Sequence, residues 1–116
     1  MVIYFLEVLT TSNIYRALSD STRKRILSLL AKEEKTQKQL VEYFKVSQPA
    51  INKQLKILKE EDLITERKSG RYRYYSLNRP VFSMAYQKMI EEIGQMLDQT
   101  LHGLKDFVES EEKEID

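Results

Sequence analysis

The sequence has no cysteine, one histidine, three glycines and two prolines. Without cysteine there is no disulfide framework, no zinc finger, no thiol sensor and no cysteine nucleophile. One histidine supplies little of the nucleophile, base and orienting partner that a catalytic site needs, and there is no glycine-rich phosphate loop, so no enzyme is expected. So few glycines and prolines leave little room for long loops or linkers, and a mostly helical chain follows. No apolar run approaches the roughly 20 residues of a membrane span. The short run Val2–Leu6 is followed by Glu7 and preceded by no Lys or Arg. That predicts a helix packing on the core or on a partner, not a leader. A cytoplasmic protein with no membrane contact is the expectation.

What remains is an ordinary globular composition, 41% apolar and 32% charged over 116 residues, which suits one domain and one core. The net charge of +1 conceals an asymmetry. Residues 14–78 hold 15 basic and 8 acidic side chains, whereas residues 79–116 hold 4 and 9. A basic body can meet a polyanion and an acidic end repels one, so any nucleic-acid surface belongs to residues 14–78. The sequence divides accordingly into a core over 14–78, a C-terminal helix over 79–110 and a solvated acidic tail over 111–116, within a single domain over 1–116.

The pattern along the chain is helical until residue 63. A first helical region covers Val2 to Leu18, with a break expected in Thr10-Thr11-Ser12-Asn13. Asp20 has the chemistry of an N-cap, and the helix after it buries Ile26, Leu29 and Leu30 with Arg23, Lys24 and Arg25 outside. Thr36 and Gln39 form a capping-box pair ahead of a short helix with Leu40, Val41 and Phe44 inward. Lys45-Val46-Ser47 is a three-residue break. Ser47 caps a further helix with Pro49 in its first turn, and Ile51, Leu55 and Leu58 make its inner stripe. From Ile64 to Leu77 two β-prone runs flank Lys68-Ser69-Gly70 and predict a hairpin with a basic tip. A last helix opens after Asn78, its apolar residues at spacings of three and four.

Two short helices joined by a tight turn, the second polar on its outer face, make a helix-turn-helix. The second helix of such a pair enters the major groove while the first crosses the phosphates. The outward residues of residues 48–60 are suited to that task. Gln48 and Asn52 can bond adenine, Lys53 and Lys56 can reach guanine or phosphate, and Pro49 and Ala50 offer apolar contact to a thymine methyl. Gln54 is included with them, and Thr36, Gln37 and Ser47 lie at the helix starts that approach the backbone. Arg67, Lys68, Arg71 and Arg73 on the hairpin are expected to neutralise phosphates without reading sequence. Double-stranded DNA is the expected partner. The long last helix needs a partner of its own, and a second copy is the simplest, through Phe82, Tyr86, Met89, Ile93, Met96, Leu97, Leu101 and Leu104, joined by Phe5 and Leu6.

Three ordered motifs resemble those of ArsR/SmtB-type winged-helix repressors. Leu18-Ser19-Asp20-Ser21-Thr22-Arg23-Lys24-Arg25-Ile26-Leu27 is similar to that family's L-x-D-P-T-R-x-x-I-L opening. Val46-Ser47-Gln48-Pro49-Ala50-Ile51-Asn52-Lys53-Gln54-Leu55-Lys56-Ile57-Leu58 resembles its recognition helix, and Gly70–Leu77 its wing. The resemblance implies a mainly α fold with a β-hairpin wing, an N-terminal helix and a long dimerisation helix. It implies a homodimeric repressor at a promoter operator, with an inducer that the sequence does not identify. Asn52 stands where the family usually has Ser and Gln54 where it has His, so the bases read are expected to differ. Ser21 and Asp62 replace Pro and Gly without disturbing the fold. Many members sense metals, but the cysteine pair some of them use is impossible here. Asp98, His102 and Asp106 share a helix face, yet zinc sites generally use more nitrogen or sulfur. No metal and no cofactor are expected. The alternatives are a winged-helix protein-interaction module, or a metal-responsive repressor using His102 and those carboxylates.

Overall fold

The structure, a computed structural model, describes the backbone of residues 13–115 and the side chains of residues 13–112. Phe5, Leu6 and the rest of the Val2–Leu6 run lie outside the described residues, as does the first helical region up to residue 12. Among the described residues eight elements follow in order: α1 (Ile14–Leu18), α2 (Ser21–Lys32), β1 (Lys35–Thr36), α3 (Gln37–Phe44), α4 (Gln48–Glu60), β2 (Ile64–Ser69), β3 (Tyr72–Leu77) and α5 (Arg79–Ile115).

Local chemistry sets the helix starts. Asn13, inside the expected break, accepts the Arg16 N–H at 3.0 Å and caps α1. Asp20 accepts the Arg23 N–H at 3.0 Å and caps α2. At α3 the capping box is complete: Thr36 Oγ1 accepts from the Gln39 N–H at 3.1 Å and Gln39 Oε1 from the Thr36 N–H at 2.8 Å. Lys45 closes α3 in the left-handed region at φ 54°. Ser47 Oγ accepts the Ala50 N–H at 3.3 Å, and Pro49 in the first turn forfeits no helical hydrogen bond. After α4, Asp62 takes φ 58°, which Asp tolerates better than most side chains. Asn78 Nδ2 donates to the Asp62 carbonyl at 2.9 Å and holds that corner.

The chain divides into two compact units, Met1–Ala85 and Tyr86–Asp116. The first holds the core. Ala17 of α1, Ile26, Leu27 and Leu30 of α2, Leu40 of α3 and Ile51, Leu55 and Leu58 of α4 are buried together. Leu63, Ile64, Tyr75 and Val81 close the cluster. Leu29, Val41 and Phe44, expected inside, are half-buried at its edge. Phe82, expected in the dimer seam, is half-buried and packs against the core of its own chain.

The expected hairpin forms with Ser69 opposite Tyr72, and Gly70 supplies the positive φ (62°) of its two-residue loop. It is part of a larger sheet. β1 pairs antiparallel with β3, Lys35 opposite Tyr75 and Thr36 opposite Tyr74, giving the order β1-β3-β2. A two-residue strand has no alternation to read, and its pairing is purely tertiary. On β3 only Tyr75 enters the core, where burial pushes its phenol pKa up, while Tyr72 stays exposed and Tyr74 half-buried.

α5 continues past Ser110, where the sequence pattern predicted its end, to Ile115. Glu and Lys, which fill that segment, are good helix formers. Among the described residues no helix is long and apolar enough to cross a membrane. In the second unit the apolar residues stay exposed: Tyr86, Ile90, Ile93, Met96, Leu97, Leu101, Leu104, Phe107 and Val108 are 39–65% accessible. They repeat every eleven residues, as Tyr86–Leu97–Val108, Ile90–Leu101, Ile93–Leu104 and Met96–Phe107. That period keeps a stripe on one face with almost no drift.

Leu58 is fully buried where α4 meets the core. Leu58→Ala is expected to cost about 2–5 kcal/mol of folding stability, measured from the urea midpoint at unchanged slope. A loss below 1 kcal/mol would contradict the packing described.

Candidate nucleic-acid interface

The inner stripe of α4 determines what its outer face presents. With Ile51, Leu55 and Leu58 buried, the 3.6-residue period turns Gln48, Pro49, Ala50, Asn52, Lys53 and Lys56 to solvent. Ser47, expected near phosphate, is exposed at the helix tip and spends its hydroxyl on the cap. Thr36 is likewise engaged in its capping box and half-buried. Gln37, the first residue of α3, donates from Nε2 to Oδ1 of Asn52 across the turn.

Gln54 is placed differently from its outward neighbours. It is half-buried, and its Oε1 accepts from Arg23 Nη1 at 2.7 Å. Arg23 Nη2 also donates to the Arg16 carbonyl at 2.9 Å and to Ser19 Oγ at 3.1 Å. Arg16 in turn pairs with Glu61 at 3.0 Å and Glu60 at 3.3 Å, at the end of α4. Two arginines thus brace α4 from behind. The sequence pattern put Arg23 on the outside of α2 and missed both roles. The available signal was spacing: Arg23 precedes Ile26, Leu27 and Leu30 by three, four and seven residues and shares their face.

Beside α4 stands the hairpin, and between them lies a groove of about 440 Å³ lined by Asn52, Lys56, Lys59, Glu66 and Arg73 among others. Carboxylates hold part of its cationic charge. Glu66 bonds Lys59 Nζ at 2.6 Å and lies 3.9 Å from Arg73. Glu34 accepts from Arg67 Nη2 at 2.7 Å and from Ser76 Oγ at 2.9 Å, tying the segment before β1 to the wing. The Arg67 guanidinium also lies 4.4 Å from the centre of the Tyr74 ring. So Arg67 and Arg73, expected to meet phosphate, rest against acidic partners. Lys53, Lys56 and Arg71 form no ion pair among the described residues. Lys68 is exposed near the hairpin tip.

In the second unit Asp98, His102 and Asp106 line one open face of α5. Among the described residues no group of three or more His, Asp or Glu is gathered closely enough to hold a metal ion.

The arrangement matches known proteins. The family model described as "Bacterial regulatory protein, arsR family" matches residues 20–66. The transcriptional repressor SdpR of Bacillus subtilis is 36% identical over 84 residues, covering 72% of this chain and 93% of that protein. The arsenical resistance operon repressor of Staphylococcus aureus is 37% identical over 78 residues, covering 67% and 75%. Among solved structures, an ArsR-like transcriptional regulator from Rhodococcus sp. RHA1 superposes with a TM-score of 0.68 at 29% identity, covering 95% of this chain and 98% of that one.

The carboxylates of Glu34, before β1, and Glu66, on the hairpin, have a pH signature. The hydrogen bond from Arg67 holds Glu34 below the ordinary glutamate range, and that from Lys59 does the same for Glu66. A lowered folded pKa means the stabilisation is present above the ordinary glutamate range and is lost as pH falls through the lowered values. In a carboxyl-carbon NMR titration, Lys59→Ala is expected to move the Glu66 midpoint upward and leave Glu34 in place. A Glu66 midpoint indifferent to Lys59 would contradict the pairing.

Proposed function

Since the chain belongs to the arsR family of bacterial regulatory proteins, we propose that it is a homodimeric repressor that occupies a promoter operator in the cytoplasm. It is a DNA-binding transcriptional regulator, and its relatives are named as repressors. The family is one of regulators, not of enzymes.

The observation that carries the proposal is the outer face of α4. Gln48, Ala50, Asn52, Lys53 and Lys56 are exposed on a helix whose inner side is locked in the core, beside a cationic hairpin. In this reading Gln48 and Asn52 meet base edges, Pro49 and Ala50 meet thymine methyls, and Lys53 and Lys56 reach guanine or phosphate. Thr36, Gln37 and Ser47 approach the backbone at helix starts, and Gln54 supports α4 from behind. Lys68 and Arg71 neutralise phosphate directly, while Arg67 and Arg73 exchange their carboxylates for it.

A second copy covers the apolar stripe of α5. Tyr86, Ile93, Leu97, Leu101 and Leu104 are exposed at a repeating spacing, and identical stripes are self-complementary about a two-fold axis. Met89 and Met96 border the seam. The Staphylococcus aureus relative is named for arsenical resistance, but this chain offers no thiolate for a soft metal or metalloid. An inducer, if it acts here, uses other chemistry.

Fluorescence anisotropy on the DNA upstream of its own gene, against random duplex at two salt concentrations, tests the proposal. Preferential binding that falls steeply with salt is expected, with Lys53→Ala lowering the salt slope by about 1. Absence of duplex binding at low salt would favour a protein-interaction module instead. Leu97→Glu with Leu101→Glu is expected to turn a dimer into a monomer in sedimentation and to weaken operator binding together with it. An unchanged sedimentation coefficient would contradict the α5 seam.

A further inference from the structure

Asn52 stands at the centre of the exposed face of α4. Its terminal amide turns about a broad, roughly two-fold torsion, and its two ends carry opposite hydrogen-bonding character. Turned by half a revolution, the side chain presents donors where it had presented an acceptor. An unrestrained asparagine at such a position reads more than one base edge.

The neighbouring helix removes that freedom. Gln37 Nε2 donates to Asn52 Oδ1, so the oxygen faces α3 and the Nδ2 group faces away. Gln37 is the first residue of α3, directly after the Thr36–Gln39 capping box, so its backbone is fixed where the helix starts. The other end of the contact is equally firm, since Gln54, two residues beyond Asn52, is bonded to Arg23 behind α4. The side-chain contact therefore joins two braced backbones on their solvent face.

We infer that Gln37 determines specificity by fixing the flip state of the Asn52 amide, and with it the base that α4 reads. The inference rests on the duplex-DNA reading above. A carbonyl oxygen has two lone pairs. With one bonded to Gln37, Asn52 Oδ1 keeps one acceptor site beside the two Nδ2 donors. An acceptor next to a donor matches the N6–H donor and N7 acceptor of adenine. Guanine presents O6 and N7, both acceptors, and a pinned Oδ1 meets one of them unfavourably. Freed of Gln37, the amide swings to offer guanine its N–H groups, and the discrimination is lost.

The test is selection from a random duplex library with the full chain, followed by anisotropy on duplexes carrying each base pair at the affected position. Wild type, Gln37→Ala, Asn52→Ala and the double variant are compared. The wild type is expected to enrich a motif with an A·T pair preferred over G·C by roughly 5- to 150-fold. Gln37→Ala brings that preference to near parity while the rest of the motif persists, and Asn52→Ala erases information at the same position. The double variant loses no more than Asn52→Ala alone, the mark of two residues acting as one unit. A Gln37→Ala motif identical to the wild type, an even loss across all positions, or a change at a base pair other than that of Asn52 overturns the inference while leaving DNA binding intact. A wild type that enriches no motif overturns the DNA reading itself and the inference with it.

Discussion

Burial of Ile51, Leu55 and Leu58 beneath α4, in one cluster with Ile26, Leu30 and Leu40, is the interaction on which the interface depends. An α-helix turns 100° per residue. A slip of α4 by one position would either bury Asn52 in the place of Ile51 or bring Ile51 into the place of Asn52 on the solvent face. The caps act on the same helix: Ser47 fixes where α4 starts, and Asp62, held by Asn78, fixes where the chain leaves it. Arg16 and Arg23 add polar bonds from α1 and α2 to its far end and rear face. The solvent face of α4 is in this sense a by-product of core packing, and the side chains proposed to meet DNA contribute little to holding the helix.

In the proposed complex with DNA, charge on and beside the wing is exchanged. Glu34 and Glu66 hold Arg67 and Lys59 close to the protein surface. Exposed ion pairs of this kind are worth about 0–1 kcal/mol, so trading a carboxylate for a phosphate costs little. Meanwhile the carboxylates order the hairpin before it meets a ligand. Lys53, Lys56 and Arg71, without an ion pair among the described residues, require no such exchange and in the proposed complex supply attraction from the first encounter.

Much of this was legible in the residues because it is encoded within a few positions. Asp20, Ser47, the Thr36–Gln39 pair and Gly70 each act over at most three neighbours, and each is found where its chemistry placed it. The inner stripe of α4 followed from its period alone. What escaped was tertiary. β1 is two residues long and exists only through its pairing with β3. Arg23 looks like a surface cation until Gln54 is beside it. Phe82 fits the spacing of the α5 stripe equally well whether it faces its own core or another chain. The Gln37–Asn52 bond joins residues fifteen positions apart, and no pattern within α3 or α4 announces it.

In the proposed complex two copies present two α4 helices to duplex DNA in symmetric register. Hydroxyl-radical footprinting of the full chain on a duplex enriched from a random library tests it most directly. The account requires two protected half-sites related by a dyad, their centres about one helical turn, or a whole multiple of it, apart. A single protected segment, or two lacking dyad symmetry, would contradict it.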